Sequence, residues 1–417
     1  MNAAMLILIY CANYSKFDSS LLSLKLFLIS LNKLIKFAVG YKNSSQTKIP
    51  NRRMSTKKIL FAAAIAVFVI ACEDNKDTTP TNTNFDRGQM LKFYAESMII
   101  PSYDVLNTQI ADFSTKVEAF VTTPNLGNLQ TARDAYKEVM LAYQHITVFD
   151  FGASEDDLGF ILSDVINVFP VSVSKIENSI SGANFVFNDF NRDARGLQAI
   201  DYLLYSEPTA EAVVAKFADV NRGKYLSALV NQIKTLTEQA GNDWKNTKND
   251  FSSNTSTSSG SSVAEFYNSF VYTFEKIKNF KLGLPMGKRP GQTQTEAARA
   301  ECYYSGLSIE LAKENMLVVE NTWFGRTRNS TTGISFRDYI LSVSGGEGLV
   351  NETQLQFKVI NDKFSKVPND RIESVLANNF TALDEAFLEI SKMTRHLKSE
   401  MSSLLGISIT YSSGDGD

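Results

Sequence analysis

The clearest candidate for chemistry is a pair of polar residues, Gln198 and Asp201, inside the largely apolar segment 192–205. A spacing of three residues places both side chains on the same edge of a helix. A histidine and a glutamate at these positions would make a plausible metal or acid/base site. The Gln198 amide is a poor ligand and cannot act as an acid or base near neutral pH, and the one carboxylate of Asp201 is an incomplete cation site. The pair therefore predicts at most a weak metal site at Asp201.

A second polar edge occurs in the other half of the chain. Glu301, Ser305 and Ser308 recur at i, i+4 and i+7 within residues 295–323, which the apolar spacing predicts to be one long helix. This edge is expected to face Gln198 and Asp201 across an interface, or else to be a solvated helix face. For Asp201 the alternative to a functional role is pairing with Arg195 or another arginine, with Gln198 closing a buried polar contact.

The remaining reactive side chains form no known catalytic motif. His145 and His396 are isolated, and Cys302, predicted to lie within a helix, is best explained as a buried structural thiol. The zinc-peptidase pair of histidines, the nucleophile elbow, the phosphate-binding loop and the dinucleotide fingerprint are all absent from the sequence.

The element that must position the first pair is a short helix. Leu197, Ile200, Leu203 and Leu204 recur at helical spacing, and Gly196 near its start indicates a close approach of two backbones. Similar stripes cover both halves of the chain, whereas strand-like alternation never persists beyond a few residues. The sequence therefore predicts an all-α protein with two helical bundles.

Length and composition bound the organisation of the chain. The 417 residues exceed what one core usually serves. We place an N-terminal bundle at 85–251, a serine-rich linker or loop at 252–262, a C-terminal bundle at 263–408 and a polar tail at 409–417. The net charge of −3, with scattered lysines and arginines, excludes nucleic acid as a partner.

The N-terminal region predicts export. Residues 54–71 combine two lysines with an apolar stretch of about a dozen residues, as in a secretory signal peptide. The sequence Val69-Ile70-Ala71-Cys72 resembles the lipobox of bacterial lipoproteins, in which the cysteine carries the lipid. Lipid on Cys72 would anchor the protein to a membrane without a transmembrane helix. The alternative is a plain signal peptide with an incidental cysteine.

The segments on either side of the signal peptide receive separate interpretations. Residues 1–53 are expected to be an over-extension upstream of the true initiator Met54; the alternative is an extra membrane-associated helix. Residues 72–84 are polar and aperiodic and predict a flexible tether between the lipid and the folded body.

Several short motifs, taken in order, resemble the imelysin-like lipoproteins and periplasmic proteins of Gram-negative bacteria. They are the segments 132–136, 151–152, 195–204, 281–287 and 301–308. The resemblance implies two four-helix-bundle-like domains, an association with iron or haem acquisition, and a Gly-x-His-x-x-Glu motif proposed to bind metal or haem. Gly196 matches this motif, but Gln198 replaces the histidine and Asp201 replaces the glutamate. Loss of the imidazole removes the best transition-metal ligand.

These observations lead to one expected function and two alternatives. We expect a non-catalytic binding component in the Gram-negative cell envelope, at the outer membrane on its periplasmic or surface side. Its ligand would be iron or haem, and its partners would be iron- or haem-uptake components. The expected ligand-binding residues are Arg195, Gly196, Gln198, Asp201, Glu301, Ser305 and Ser308. The alternatives are a metallopeptidase-like enzyme and a surface protein-interaction module without a small ligand.

Overall fold

Helices make up nearly all the regular structure of this protein. The computed structural model describes residues 85–155 and 161–411, and within them only two isolated bridges, Glu155–Ile161 and Arg326–Thr332, have extended pairing. The all-α prediction is therefore confirmed. The predicted signal peptide, Cys72 and the tether lie outside the described residues, as do positions 412–417 of the tail.

The α-helices of the described residues are, in chain order, α1 (Arg87–Tyr94), α2 (Ile100–Thr122), α3 (Leu126–Gln144), α4 (Leu162–Ile166), α5 (Val173–Ser181), α6 (Gly196–Tyr205), α7 (Ala210–Lys216), α8 (Val220–Ser253), α9 (Ser262–Lys276), α10 (Ser308–Phe324), α11 (Phe336–Leu341), α12 (Gly346–Phe364), α13 (Ile372–Asn378), α14 (Phe380–Thr394) and α15 (Ser402–Leu405). Wider π-helical turns occur at Ala95–Ile99, Ile277–Gly283 and Arg395–Met401.

Pro101 explains the first π turn. It stands in the first turn of α2, directly after the π turn Ala95–Ile99 that joins α1 to α2. A proline ring clashes with the carbonyl four residues before it and lacks an N–H group to donate. The wider turn accommodates this conflict without ending the helix.

The core joins both halves of the sequence. The long helix α2 packs along both α3 and α8, and α12 packs along α14. The Phe266 ring on α9 lies 4.7 Å from Tyr94 on α1 and 4.9 Å from Phe336 on α11, measured between ring centroids. Because these rings are fully buried, early and late segments of the chain depend on one another for burial.

Two predicted helices are wrong in extent. The apolar spacing of residues 158–180 predicts a helix that bends near Pro170, but the described part contains only the short α4 and α5, separated by non-helical residues around Pro170. The expected long helix over 295–323 begins only at Ser308, after a 3-10 turn, Ala297–Arg299, and a series of tight turns. Cys302 therefore lies in a turn, although its predicted burial is confirmed.

The serine-rich segment forms the connection from α8 to α9, between Ser253 and Ser262. Because all described residues belong to a single compact unit, the division into two bundles at 252–262 stays a prediction. Among the described helices, none combines the length and the apolar character that a bilayer crossing requires.

Candidate functional site

Gly196 fixes the start of the helix that carries the candidate pair. Its backbone has φ +76°, and a Cβ atom built there would lie 2.2 Å from the carbonyl oxygen of Ile166. Only glycine allows α6 to begin this close to the end of α4. The predicted close backbone approach is therefore confirmed. Its consequence is that residues just after α4, Asn167 in particular, lie beside the first turn of α6.

Gln198 contacts protein groups with both ends of its amide. Its Oε1 accepts a hydrogen bond from the Cys302 N–H at 2.7 Å, and its Nε2 donates to Asn167 Oδ1 at 2.8 Å. A weaker contact joins the same Nε2 to the Cys302 sulfur at 3.5 Å. Since Gln198 is only 3% exposed, the amide closes a buried polar contact.

Asp201 holds the next turn of the chain in place. Its Oδ2 accepts a hydrogen bond from the Tyr304 N–H at 2.9 Å, and its Oδ1 accepts one from the Ser305 N–H at 3.2 Å. Complete burial raises the pKa of Asp201 to about 6, although these hydrogen bonds and the Arg371 charge favour the ionised form. Backbone donors engage both carboxylate oxygens, and the metal expected at Asp201 stays a prediction.

The segment 301–308 reaches the α6 edge, but not as a helix face. The predicted i, i+4, i+7 arrangement of Glu301, Ser305 and Ser308 is wrong because Cys302 adopts φ +51°, which breaks any helix at that point. Ser305 contacts Asp201 through its backbone, as described, while its hydroxyl donates to the Cys302 carbonyl. The Ser308 hydroxyl donates to the Glu301 carbonyl and closes the same turn.

Arg195 does not join this group. Its guanidinium donates to the Phe187 carbonyl at 3.1 Å and lies 3.2 Å from an Asp189 oxygen. The alternative prediction was that Asp201 pairs with Arg195 or another arginine; Arg195 is not its partner, whereas the Arg371 charge does act on it and opposes the rise in its pKa that burial causes. Arg195 instead stabilises the backbone segment before α6 and does not hydrogen-bond to Gln198 or Asp201.

A chain of buried polar side chains leads away from Gln198. Asn167 donates from Nδ2 to Glu301 Oε1 at 2.7 Å, and Glu301 Oε2 forms an ion pair with Lys281 Nζ at 2.9 Å. The Lys281 ammonium also donates to Gln144 Oε1. We call these five residues, Gln144, Asn167, Gln198, Lys281 and Glu301, the polar network. Its members come from five separate segments of the chain. The network therefore connects α3, α6, the second π turn, the segment after α4 that contains Asn167 and the turn that contains Glu301.

Burial sets the electrostatics of the network. Lys281 is 6% exposed and Glu301 1%, so their pairing compensates two charges that would otherwise be costly to bury. Burial lowers the pKa of Lys281, and the neighbouring Glu301 opposes this effect. Burial also raises the pKa of the Cys302 thiol well above its usual value, which leaves it protonated and unreactive as a nucleophile.

A cavity of about 200 Å³ opens beside the network. Four aromatic rings form much of its wall: Tyr143, Phe169, Tyr272 and Phe280. The polar groups at its wall include Asp164, Asn167, Lys276, Lys281 and Asn315. We call it the Asn167 cavity, because Asn167 belongs both to this wall and to the polar network, one hydrogen bond from Gln198.

One buried atom at this cavity is left without a partner. Asn315 is 1% exposed and donates from Nδ2 to Thr147 Oγ1 at 2.7 Å, but its Oδ1 has no hydrogen-bond partner among the described residues. A buried acceptor of this kind costs free energy unless a donor reaches it. Because this oxygen is itself buried, a bound molecule with a hydroxyl or amide hydrogen would donate to it after a shift of the Asn315 side chain toward the cavity.

The phenols at the cavity are poor metal ligands. Burial raises the pKa of Tyr143 well above its usual value and that of Tyr272 to about 12, so both hold their protons near neutral pH. Glu301 is occupied by Lys281. Of the carboxylates at or next to the cavity, Asp164 is thus the one oxygen donor most available to a bare cation.

The fold and the buried site define an all-α protein in which a short Gly-x-Gln-x-x-Asp helix meets a turn from the second half of the chain. A model of the imelysin family, peptidase M75, matches residues 99–392, and the chain belongs to this family. None of the proteins of curated function matches it.

Two solved structures have the same fold over nearly their whole length. An iron-regulated protein A precursor from Parabacteroides distasonis ATCC 8503 is 14% identical, with a TM-score of 0.62, and the match covers 78% of this chain and 97% of that one. An imelysin-like protein from Psychrobacter arcticum 273-4 is also 14% identical, with a TM-score of 0.63 and the same coverage. At this identity the likeness concerns the fold alone.

Sequence reasoning missed the residues at the cavity. Lys281 is the first residue of segment 281–287, which carries part of the family resemblance, so the sequence did point to this segment. Nothing in the sequence indicated that Lys281 pairs with Glu301. Asn167 and Asn315 gave no signal, because an isolated asparagine in a helical region has no spacing that points to a site.

Proposed function

We propose that this imelysin-family protein is a non-catalytic binding component of the cell envelope, and that the Asn167 cavity binds a small iron chelate. The observation that carries the proposal is the unpartnered Asn315 oxygen at a cavity joined by Asn167 to the family-motif position. The link to iron is supported by the relative named as an iron-regulated protein.

The replaced motif residues support binding over catalysis. Gln198 cannot transfer a proton near neutral pH, and Asp201 is committed to the Tyr304 and Ser305 backbone. A metallopeptidase needs a base beside its metal, and the carboxylate of the polar network, Glu301, is already paired with Lys281. A protease assay with and without a chelator tests this point; chelator-sensitive peptide cleavage by the purified protein would contradict the proposal.

The size of the cavity distinguishes between the two expected ligands. Pockets that enclose drug-sized molecules usually measure about 300–1,000 Å³. The Asn167 cavity, at about 200 Å³, suits a smaller molecule. It therefore favours a compact iron complex over haem, which is the larger of the two.

The polar groups favour a complexed iron ion over a free one. Lys276 lines the cavity, and its ammonium lies 2.9 Å from Ser163 Oγ and 4.8 Å from the Tyr272 ring centroid. A bare ferric ion would meet this positive charge and too few oxygen ligands. A chelate with carboxylate and hydroxyl groups, such as ferric citrate, could pair with Lys276 and donate to Asn315.

Lys276 and its neighbour Lys278 provide a matched test with ferric citrate as the probe. Lys276→Gln is expected to weaken binding about tenfold, the effect of losing one charged hydrogen bond. Lys278→Gln removes the same charge two positions further on, in the second π turn. There the lysine contacts Thr394 and Glu275, so the affinity should stay unchanged. Equal affinities of both variants and the wild type in titration calorimetry would contradict a role for the cavity.

One observation favours a second function. Gln198 and Asp201 are buried and engaged with protein groups, as expected of a surface interaction module that has no small ligand. The two functions differ at the cavity and not at the motif. Saturable ferric citrate binding that depends on Lys276 supports the binding component. A folded protein that does not bind ferric citrate supports the interaction module.

The cellular setting is part of the proposal. Lipid on Cys72 would place the protein at the Gram-negative envelope, on the outer membrane with its body in the periplasm or at the surface. There it would deliver its ligand to iron-uptake components. The word "precursor" in the name of the Parabacteroides relative agrees with export.

A further inference from the structure

A second group of metal-ligating side chains lies where the end of α14 approaches α12. His396 and Glu400 belong to the π turn Arg395–Met401, and Glu352 belongs to α12. His396 Nδ1 lies 2.9 Å from Glu400 Oε2 and 4.0 Å from Glu352 Oε2. One ligand atom from each residue lies within 4.8 Å of the other two. This group shares no residue with the Asn167 cavity or the polar network.

Two of the three side chains share one face of the π turn. Residues four apart lie on the same side of a helix. His396 and Glu400 have this spacing, and the His396 ring nitrogen lies near both Glu400 and Glu352 on α12. Such turns interrupt the regular hydrogen bonding of an α-helix and are frequent at functional sites.

Burial is graded across the three residues. His396 is 6% exposed and therefore fixed in position, while the side chains of Glu400 and Glu352 are 37% and 60% exposed. A cation could enter from the solvent side, contact Glu352 first and then reach the fixed imidazole. The buried histidine gives the arrangement more definition than a surface cluster of acids has.

Arg395 occupies the position next to the two carboxylates. Its guanidinium lies 3.3 Å from Glu400 Oε1 and 3.5 Å from Glu352 Oε2. The arginine side chain is 64% exposed, so it can move into solvent at little cost. A positive charge is therefore favoured at this point, and a cation that also engages the imidazole would replace the guanidinium.

We propose that Glu352, His396 and Glu400 bind a divalent first-row transition-metal ion of the Zn²⁺ type. Imidazole nitrogen and carboxylate oxygen are both ligand types that such ions accept, and three protein ligands leave a fourth position open to water. Tetrahedral zinc with ligands about 2.0–2.2 Å away holds its ligand atoms about 3.3–3.6 Å apart. The His396–Glu400 pair, at 2.9 Å, is slightly closer than this spacing. The Glu352 oxygen lies within 4.8 Å of the other two ligand atoms and needs to approach them by up to about 1.5 Å. The site is independent of the function proposed for the Asn167 cavity.

Calorimetric titration of the purified protein with Zn²⁺ tests the site. The wild type is expected to show a saturable site that is weakened at least about tenfold by Glu352→Gln and by Glu400→Gln. Glu347→Gln, an exposed glutamate on the same helix α12, should leave the affinity unchanged. Arg395→Gln removes the competing guanidinium and should tighten binding.

Two further measurements keep the outcome unambiguous. Helical circular dichroism of each variant establishes that the fold is retained, which is expected for Glu352→Gln because that side chain is exposed. With Co²⁺ as the probe, the visible absorption of the bound ion should be lost in His396→Gln. Absence of saturable Zn²⁺ binding to the wild type, or equal affinity in folded Glu352→Gln, Glu400→Gln and Glu347→Gln variants, would overturn the proposal. Loss of ferric citrate binding would leave it untouched.

Discussion

At the scale of single residues, Asp201 is a buried carboxylate that stabilises the structure. Its two oxygens accept hydrogen bonds from the Tyr304 and Ser305 backbone, and it has no exposed surface. Gln198 does the same for Cys302 with a neutral amide. The pair thus attaches the turn from the second half of the chain to α6, where a histidine and a glutamate would do chemistry in the family motif.

The raised pKa of Asp201 predicts a pH dependence of stability. In the folded state the pKa is about 6, against 3.8 as the ordinary value, because burial disfavours the charged form. The folded protein therefore holds this proton more tightly than the unfolded chain does. The resulting stabilisation is fully present below pH about 4 and is lost as the pH rises through about 6. Across this pH range the free energy of unfolding falls by about 2–3 kcal/mol.

Urea denaturation of the wild type and of Asp201→Asn at several pH values measures this effect. The free energy of unfolding of the wild type, relative to the variant, should fall between pH 4 and pH 7, because the amide does not titrate. Asp134→Asn, at an exposed aspartate on α3, serves as the control and should follow the wild type. A relative stability that rises over this range would contradict the burial of an ionisable Asp201.

At the scale of elements, Gly196 determines where α6 begins. Gly196→Ala would force φ +76° on a residue with a Cβ and drive that atom into the Ile166 carbonyl. We expect a loss of about 3 kcal/mol or more in the free energy of unfolding, from strain and displaced backbone together. Gly345→Ala is the matched control, because Gly345 has φ +85° but no atom within 4 Å of the added Cβ.

Chemical denaturation of the two alanine variants separates the contributions. Gly345→Ala should cost about 1 kcal/mol, the strain alone. Similar losses in the two variants would show that the approach of α4 to α6 is not tight, and the placement of Asn167 beside Gln198 would then need another cause.

The helical elements could be predicted from the sequence where a periodic stripe decides the structure. The core-facing leucines of α6 and the all-α class are examples, because apolar spacing alone determines the buried face. The turn at 301–306 could not be predicted this way. Its residues read as helix, and the left-handed backbone at Cys302 is maintained by Gln198 and Asp201, which are about a hundred positions away.

The candidate site shows the same limit. Gly196, Gln198 and Asp201 were found because they share one helix, and their meeting with segment 301–308 was expected. Asn167 and Lys281 come from irregular and π-helical segments, so local periodicity does not connect them to the site. His396 and Glu400 have the i, i+4 spacing in the sequence, but only the fold brings Glu352 beside them.

At the scale of the whole molecule, the proposed anchor predicts a distribution between membrane and soluble fractions. Cys72→Ser removes the acceptor for lipid, and the protein should move from the membrane fraction to the soluble envelope fraction of expressing cells. Immunoblotting of the separated fractions measures this. Cys302→Ser changes a buried thiol that is not part of the signal sequence and should leave the protein in the membrane fraction. Membrane association of Cys72→Ser equal to that of the wild type would contradict the lipid anchor.

The proposed ligand class predicts discrimination by size at the level of the whole protein. In the proposed function, iron is bound as a compact chelate in the cavity of about 200 Å³, whose wall includes Lys276 and Asn315. Under this proposal haem is too large for the cavity, and a free ion finds too few oxygen ligands there.

The most direct measurement is a parallel calorimetric titration of the purified protein with ferric citrate, citrate alone and haem. We predict saturable binding of ferric citrate with one molecule per chain, weaker binding of citrate, and no stoichiometric binding of haem. Stoichiometric binding of haem without binding of ferric citrate would contradict the account of the Asn167 cavity.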